Sequence, residues 1–234
     1  MRNCDTHTCS SSSIITCEES HCDVIVKQDA IDAVVFDIGG VFIDWDPRHL
    51  YRKLIADDEA REYFLSEICS PEWHAEQDLG RDTTEACREL ALRHPEYAPL
   101  ISAWSERNEE MVAGVVEGSI AVLHELHERN VPCFALSNME SEAFARRRER
   151  YGFMSDFAGF VISSTEHVAK PDEEIFSRLL ARFSLKPERT LFVDDRALNI
   201  AVAARLGFVV CLFSSPAELR ERLVGFGLLK KRPR

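Results

Sequence analysis

Five short apolar runs, separated by longer amphipathic stretches, constrain the fold of this chain more than any other feature. They are Ala33-Val34-Val35-Phe36, Pro132-Cys133-Phe134-Ala135-Leu136, Phe160-Val161-Ile162, Leu191-Phe192-Val193 and Phe208-Val209-Val210-Cys211-Leu212. Each is short and rich enough in β-branched or aromatic residues to prefer a strand covered on both faces. The stretches between them carry helical spacing, as in Ile120, Leu123 and Leu126, in Ile175, Phe176, Leu179, Leu180 and Phe183, and in Ile200, Ala204 and Leu206. Strands of this kind joined by helices give an α/β class with a Rossmann-like parallel sheet. Gly207 falls where a left-handed helix stop belongs, and Ser215-Pro216 with Glu218 has the form of a helix start.

The interval between the first and second runs is far too long for one crossover. Its apolar residues group as Leu50, Leu54 and Ile55; Tyr63, Phe64 and Ile68; Ala86, Leu90 and Leu92; and Leu100, Trp104 and Met111. These are helical spacings with no strand-like alternation between them. The predicted organisation is a core of residues 31–47 and 116–228. An all-helical cap, residues 48–115, is inserted after the first strand. A polar extension over 1–30, without helical or strand period, is expected to be disordered, and 229–234 forms a basic tail.

Charge narrows the partners. Among 234 residues, Lys+Arg 28 against Asp+Glu 40 gives a net charge of -12, which opposes nonspecific binding to nucleic acid or an anionic membrane. No apolar stretch approaches the roughly 18 residues of a membrane helix, and the expected location is the cytoplasm, as a monomer or homodimer. Of the eight cysteines, Cys133 and Cys211 lie inside strand-like runs and are expected to be reduced core residues. Cys4, Cys9, Cys17 and Cys22 lie in the polar extension at spacings unlike those of structural zinc sites, in a segment too polar to fold around a metal. Arg146-Arg147-Arg148-Glu149-Arg150 reads as a solvated helix face.

In open α/β sheets the ligand sits beyond the carboxyl ends of the strands. The residues that follow the runs are Asp37, then Ser137-Asn138, then a loop carrying Lys170-Pro171-Asp172, then Asp194-Asp195. Each taken singly is equally a turn or helix cap. Together they bring Asp37, Asp194 and Asp195 to one sheet edge with Ser137, Asn138 and Lys170, and clustered acids repel unless a cation joins them. Oxygen ligands from carboxylates suit Mg²⁺, which leaves coordination positions for a substrate phosphate. The ion and Lys170 would neutralise phosphate oxygens, and Ser137 and Asn138 would donate hydrogen bonds to them.

The ordered set Asp37-x-Gly39-Gly40-Val41, Leu136-Ser137-Asn138, Lys170-Pro171-Asp172 and Phe192-Val193-Asp194-Asp195 with Asn199 resembles the four motifs of the haloacid dehalogenase superfamily of hydrolases. The resemblance spans about residues 32–228 and is similar in detail to a sugar-phosphatase-like group with Gly in the first motif and an Asp pair in the fourth. It implies a phosphatase of small phosphorylated metabolites in which Asp37 is the nucleophile and forms an aspartyl-phosphate, with Ser137 and Lys170 on the phosphoryl group. It implies Mg²⁺ held by Asp37, the Gly39 carbonyl and Asp195, with Asp194 a direct or water-mediated ligand and Asn199 orienting the pair.

One position departs from the family pattern. Most phosphatases of the superfamily carry a second Asp two residues after the nucleophile, as proton donor and acceptor, and here that residue is Gly39. Either a residue such as Asp44, Asp46, His74 or Asp78 supplies the acid, or the substrate has a leaving group that needs little protonation, such as an anomeric or acyl phosphate. A dehalogenase needs no such acid, but Asp194-Asp195 would repel a haloacid carboxylate. A non-catalytic phosphate-binding protein is opposed by the intact Asp37, Lys170 and Asp195.

Overall fold

The sheet is built around its first strand. A computed structural model describes residues 30–231, and within it β1 (Ala33–Phe36) lies at the centre of a five-stranded sheet with β4 (Cys133–Ser137), β5 (Gly159–Ile162), β6 (Thr190–Asp194) and β7 (Val209–Leu212). The order is β5-β4-β1-β6-β7, and every neighbouring pair is parallel. Side chains alternate across a strand, so each strand feeds two cores. Val34, Phe36, Cys133, Ala135, Leu191 and Val193 join one cluster, whereas Ala33, Val35, Phe134, Leu136 and Phe192 join another on the opposite face.

Helices cover both faces. Val122, Leu123 and Leu126 of α6 (Glu117–Glu128) and Leu219 and Leu223 of α11 (Pro216–Gly225) pack on the first face. Ile175, Phe176 and Leu179 of α9 (Glu173–Phe183) and Val202 and Ala203 of α10 (Ala197–Arg205) pack on the second. The expected punctuation is present: Gly207 has φ +90, and the Ser215 side chain accepts from the Glu218 N–H with Pro216 opening the helix. Leu228 and Leu229 are buried in the first cluster, so the packed chain runs past residue 228.

Between β1 and β4 the chain forms α1 (Arg48–Tyr51), α2 (Asp58–Tyr63), α3 (Pro71–Asp78), α4 (Thr83–Arg93) and α5 (Ala98–Glu106). Leu50, Tyr51, Phe64, Ile68, Leu90 and Trp104 belong to a third apolar cluster that contains no residue of the five-stranded sheet. Polar caps start three of these helices, with Asp57 accepting from Ala60 N–H, Ser70 from Trp73 N–H and Asp82 from Glu85 N–H.

The sequence reading missed a two-stranded antiparallel ribbon, β2 (Ile43–Trp45) with β3 (Val112–Val115), through which the chain enters and leaves the helical segment. Strands of three and four residues are too short to display a period, and Met111 beside Val112 had extended the apparent helix. α5 in fact stops at Glu106.

No helix of the described residues is long and apolar enough to cross a membrane. Cys69, Cys87, Cys133 and Cys211 are buried and free, and burial pushes the Cys133 thiol up to about 12. The extension with Cys4, Cys9, Cys17 and Cys22, and the end of the basic tail, lie outside the described residues.

Candidate active site

Parallel strands share one carboxyl edge, and register sets the height of each residue there. Phe36 pairs with Ala135 on one side and Val193 on the other, so Asp37, Ser137 and Asp194 follow within two positions on three adjacent strands. Lys170 arrives from the loop between α8 (Ser163–Glu166) and α9. Its Nζ lies 2.7 Å from Asp194 Oδ2 and 3.0 Å from Asp37 Oδ2. Asp37 Oδ1 accepts from the Ile38 N–H at 2.7 Å, which fixes the carboxylate plane.

Two of the expected roles look different in three dimensions. The Asp194 carboxylate is fully buried and accepts from the Arg196 N–H at 2.8 Å, from Asn199 Nδ2 at 3.0 Å on each oxygen, and from Lys170. A carboxylate has about four acceptor sites. Three protein donors engage those of Asp194, which anchors Lys170, Asn199 and the Arg196 backbone in the site. Asn138 likewise holds Lys170: its Nδ2 donates to the Lys170 carbonyl at 2.8 Å and its Oδ1 accepts from the Lys170 N–H at 2.9 Å. Asp195, exposed beside it, has no such set of partners.

The electrostatics follow from burial. Burial raises the Asp37 carboxyl to about 6, opposed by the Lys170 ammonium and aided by Asp194 and Asp195. Burial works against the Lys170 ammonium, but Asp37 and Asp194 outweigh it and hold its pKa above the ordinary value. Burial and the adjacent Asp194 also raise Asp195. Oxygens of Asp37, Asp194 and Asp195 fall within 4.8 Å of one another. One ammonium among three carboxylates leaves excess negative charge, and an all-oxygen set of this kind fits a hard divalent cation.

Asp37, Gly39, Ser137, Asn138, Lys170 and Asp195 line one cavity of about 320 Å³. Trp45, His74, Asp78 and Asn108, from the ribbon and the helical segment, form its other wall. Trp73 and Trp104 are instead buried in the helical segment's own core. Asp44 is exposed and pairs with His49 at 3.1 Å, while Asp46 accepts from the Arg48 N–H at 2.8 Å; neither lines the cavity.

His74 stacks on Trp45 with ring centroids 5.2 Å apart, and burial pushes it down to about 4. Burial raises Asp78 to about 7, with Glu140 acting in the same sense and Arg147, Lys170 and Arg196 opposing. The Asp78 carbonyl accepts from Ser163 Oγ at 2.6 Å, tying this end of α3 to the sheet. Arg147, which sequence patterning assigned to a solvated face, is buried and also lines the cavity. Nothing in the arginine run itself sets it apart from its neighbours.

Residues 31–207 match the family model of haloacid dehalogenase-like hydrolases. The chain belongs to this family. A sesquiterpene phosphatase of Aspergillus oryzae is 25% identical over 185 residues, covering 76% of this chain and 87% of its own. The fold is shared with a haloacid dehalogenase family enzyme of Bacteroides thetaiotaomicron, in a crystal structure with magnesium and inorganic phosphate (TM-score 0.61, 20% identity, covering 80% of this chain and 96% of that one). It is shared also with an L-2-haloacid dehalogenase of Xanthobacter autotrophicus (TM-score 0.56, 18% identity, covering 83% of each). The fold of this haloacid dehalogenase-like hydrolase therefore does not by itself choose between phosphorus and carbon as the reacting centre.

Proposed function

We propose that this hydrolase is a Mg²⁺-dependent phosphatase of small phosphate monoesters, acting in the cytoplasm through an aspartyl-phosphate on Asp37. The observation that carries the reading is the cavity lined by Asp37, Asp195, Lys170 and Ser137, with oxygens of Asp37, Asp195 and the buried Asp194 within 4.8 Å of one another. Without a cation these carboxylates repel a substrate anion; with one they favour phosphate oxygens, whereas a haloacid dehalogenation gains nothing from them. The A. oryzae relative, a phosphatase by name, supports the same choice.

Mg²⁺ would be held by Asp37, the Gly39 carbonyl and Asp195, with Asp194 behind them, and would supply charge neutralisation at the phosphoryl oxygens. Asp37, ionised above about 6 and fixed by the Ile38 N–H, attacks phosphorus. Lys170, held by Asn138 and Asp194, pairs with a phosphoryl oxygen, and the Ser137 hydroxyl donates to another. The segment 48–115 acts as the cap that encloses the leaving group.

Gly39 brings no proton donor, and a Cβ at this position would meet nothing within 4 Å. Asp78 is the cavity carboxyl suited to the task. With a pKa of about 7 it is protonated often enough to protonate the leaving oxygen and ionised often enough to take a proton from the water that opens the aspartyl-phosphate. His74, at about 4, is a neutral imidazole at neutral pH and so lacks the imidazolium form that would serve as the acid.

The test is hydrolysis of a panel of phosphorylated metabolites with and without Mg²⁺, with Asp37→Asn as control. Activity that needs Mg²⁺ and is lost in the variant is the expected result. Full activity in Asp37→Asn rules out the nucleophile.

A further inference from the structure

Two arginines that this chemistry leaves unused line the cavity, Arg147 and Arg196, and of the two only Arg147 is buried. It is 5% exposed, yet lines the cavity from α7 (Ser141–Arg150). Its Nε is buried without a hydrogen-bond partner. The acids closest in charge to it are engaged elsewhere. Glu109 pairs with Arg146 at 3.3 Å and Arg150 at 3.2 Å, while Glu140 accepts from Thr83 Oγ1 at 2.6 Å and Asn108 Nδ2 at 3.4 Å. Burial accordingly lowers the Arg147 pKa, against the pull of Glu109 and Glu140. A buried guanidinium without a bonded partner is costly, and an anion brought by the ligand offsets that cost.

We propose that Arg147 is the subsite for a second anionic group, a carboxylate or a further phosphate, carried on the leaving portion of the substrate. This deepens the phosphatase reading and rests on it. Ser137 and Asn138 mark the phosphoryl end of the cavity, and Arg147 stands about 9 Å of helix rise beyond the start of α7. The two ends share one cavity, so the second anion belongs to the leaving portion of the same small molecule. The guanidinium fork suits a bidentate contact with either oxyanion. Asp78 and Glu140 face the same space, so the subsite discriminates best when Asp78 is protonated and Glu140 remains bound to Thr83 and Asn108.

The experiment measures binding in the Asp37→Asn background with Mg²⁺, by calorimetry, using matched probes. 3-Phosphoglycerate against glycerol 3-phosphate isolates a carboxylate, and fructose 1,6-bisphosphate against fructose 1-phosphate isolates a second phosphate. With Arg147 present, at least one anion-bearing member binds about tenfold or more tightly than its partner. Arg147→Met brings that ratio close to one, and Arg147→Lys retains part of it because a point charge remains. Equal binding of both members of both pairs with Arg147 present overturns the proposal. So does an Arg147→Met variant that weakens both members equally, the result of a purely structural arginine. The parent reading is checked separately by Mg²⁺-dependent hydrolysis of p-nitrophenyl phosphate by the unmutated chain; failure there removes the phosphatase and the subsite with it.

Discussion

A Cβ placed on Gly40 would fall 2.3 Å from Asp195 Oδ2. Gly40 also has φ +69, so the loop after β1 uses the one residue that can both turn there and let the Asp195 carboxylate come against the backbone. Gly40→Ala is expected to cost about 1–2 kcal/mol of stability from the left-handed backbone alone. Displacing Asp195 should in addition raise the Mg²⁺ concentration needed for half-maximal activity. Mg²⁺ titrations of activity, with urea unfolding alongside, measure both. An alanine variant with unchanged Mg²⁺ dependence removes Asp195 from the metal site.

Asp194 and Asp195 adjoin in sequence but have separable roles. Asp194→Asn should destabilise the protein with or without metal, because it disturbs the buried contacts to Lys170, Arg196 and Asn199. Asp195→Asn should leave metal-free stability nearly intact and abolish the rise in melting temperature that Mg²⁺ produces, a rise worth about 2.7 kcal/mol at a hundredfold excess over Kd. Thermal scans with EDTA and with Mg²⁺ give both comparisons. A Mg²⁺ response that survives in Asp195→Asn assigns the ion elsewhere.

Lys170 keeps two buried carboxylates in place, at 3.0 Å and 2.7 Å. Lys170→Met strands both, and breaking a buried pair typically costs about 3–5 kcal/mol. Asp37→Asn leaves the Lys170–Asp194 pair intact and should cost less. Urea midpoints for the two variants check the order, and a Lys170→Met protein as stable as Asp37→Asn contradicts it.

The sheet was legible because its strands are buried on both faces, which makes them continuous apolar runs, and because parallel strands put the residues after each run on one edge. The positions of Asp37, Ser137, Asp194 and Asp195 follow from that geometry, while Lys170 comes from a loop eight residues past β5. Hydrogen-bond commitments were not legible: nothing in Asp194-Asp195 says that the first is buried among three donors and the second exposed, or that Asn138 grips the Lys170 backbone. The far wall was illegible for a different reason. Arg147 sits in a run of arginines whose neighbours are exposed, and only the placement of the helical segment over the sheet turns it, with His74 and Asp78, into the cavity.

Asp78 connects activity and stability to pH with defined signs. As the donor to the leaving oxygen it acts in its protonated form, so the rate with alkyl phosphates should fall as pH rises through about 7, and Asp78→Asn should lose about 10²–10⁴-fold on them while losing less on p-nitrophenyl phosphate. For stability, the carboxyl is raised above its unfolded value. The cost of burying it charged is absent below the ordinary Asp value of 3.8, grows between the two, and is complete above about 7. Asp78→Asn should therefore melt higher than the unmutated protein at pH 8, with the difference vanishing towards pH 4. His74, Glu140, Arg147, Lys170 and Arg196 surround the group and are unchanged in the comparison. A constant difference across that range contradicts the raised carboxyl.

Gly39 offers the complementary test, because open space surrounds the position where a side chain would stand. Gly39→Asp fills that space with a carboxyl two residues from the nucleophile, where it can exchange a proton with the same leaving oxygen. If Asp78 supplies the proton from the other wall, Gly39→Asp should restore alkyl phosphate hydrolysis in the Asp78→Asn background by about tenfold or more. It should also flatten the dependence of rate on leaving-group acidity. The measurement is kcat/KM over a series of phosphate monoesters of graded leaving-group pKa for both single variants and the double. A shallow slope in the unmutated protein that steepens in Asp78→Asn and relaxes again in the double variant assigns proton transfer to Asp78. A slope already steep in the unmutated protein and insensitive to Asp78 instead assigns the enzyme to esters whose leaving group departs unaided, such as anomeric or acyl phosphates.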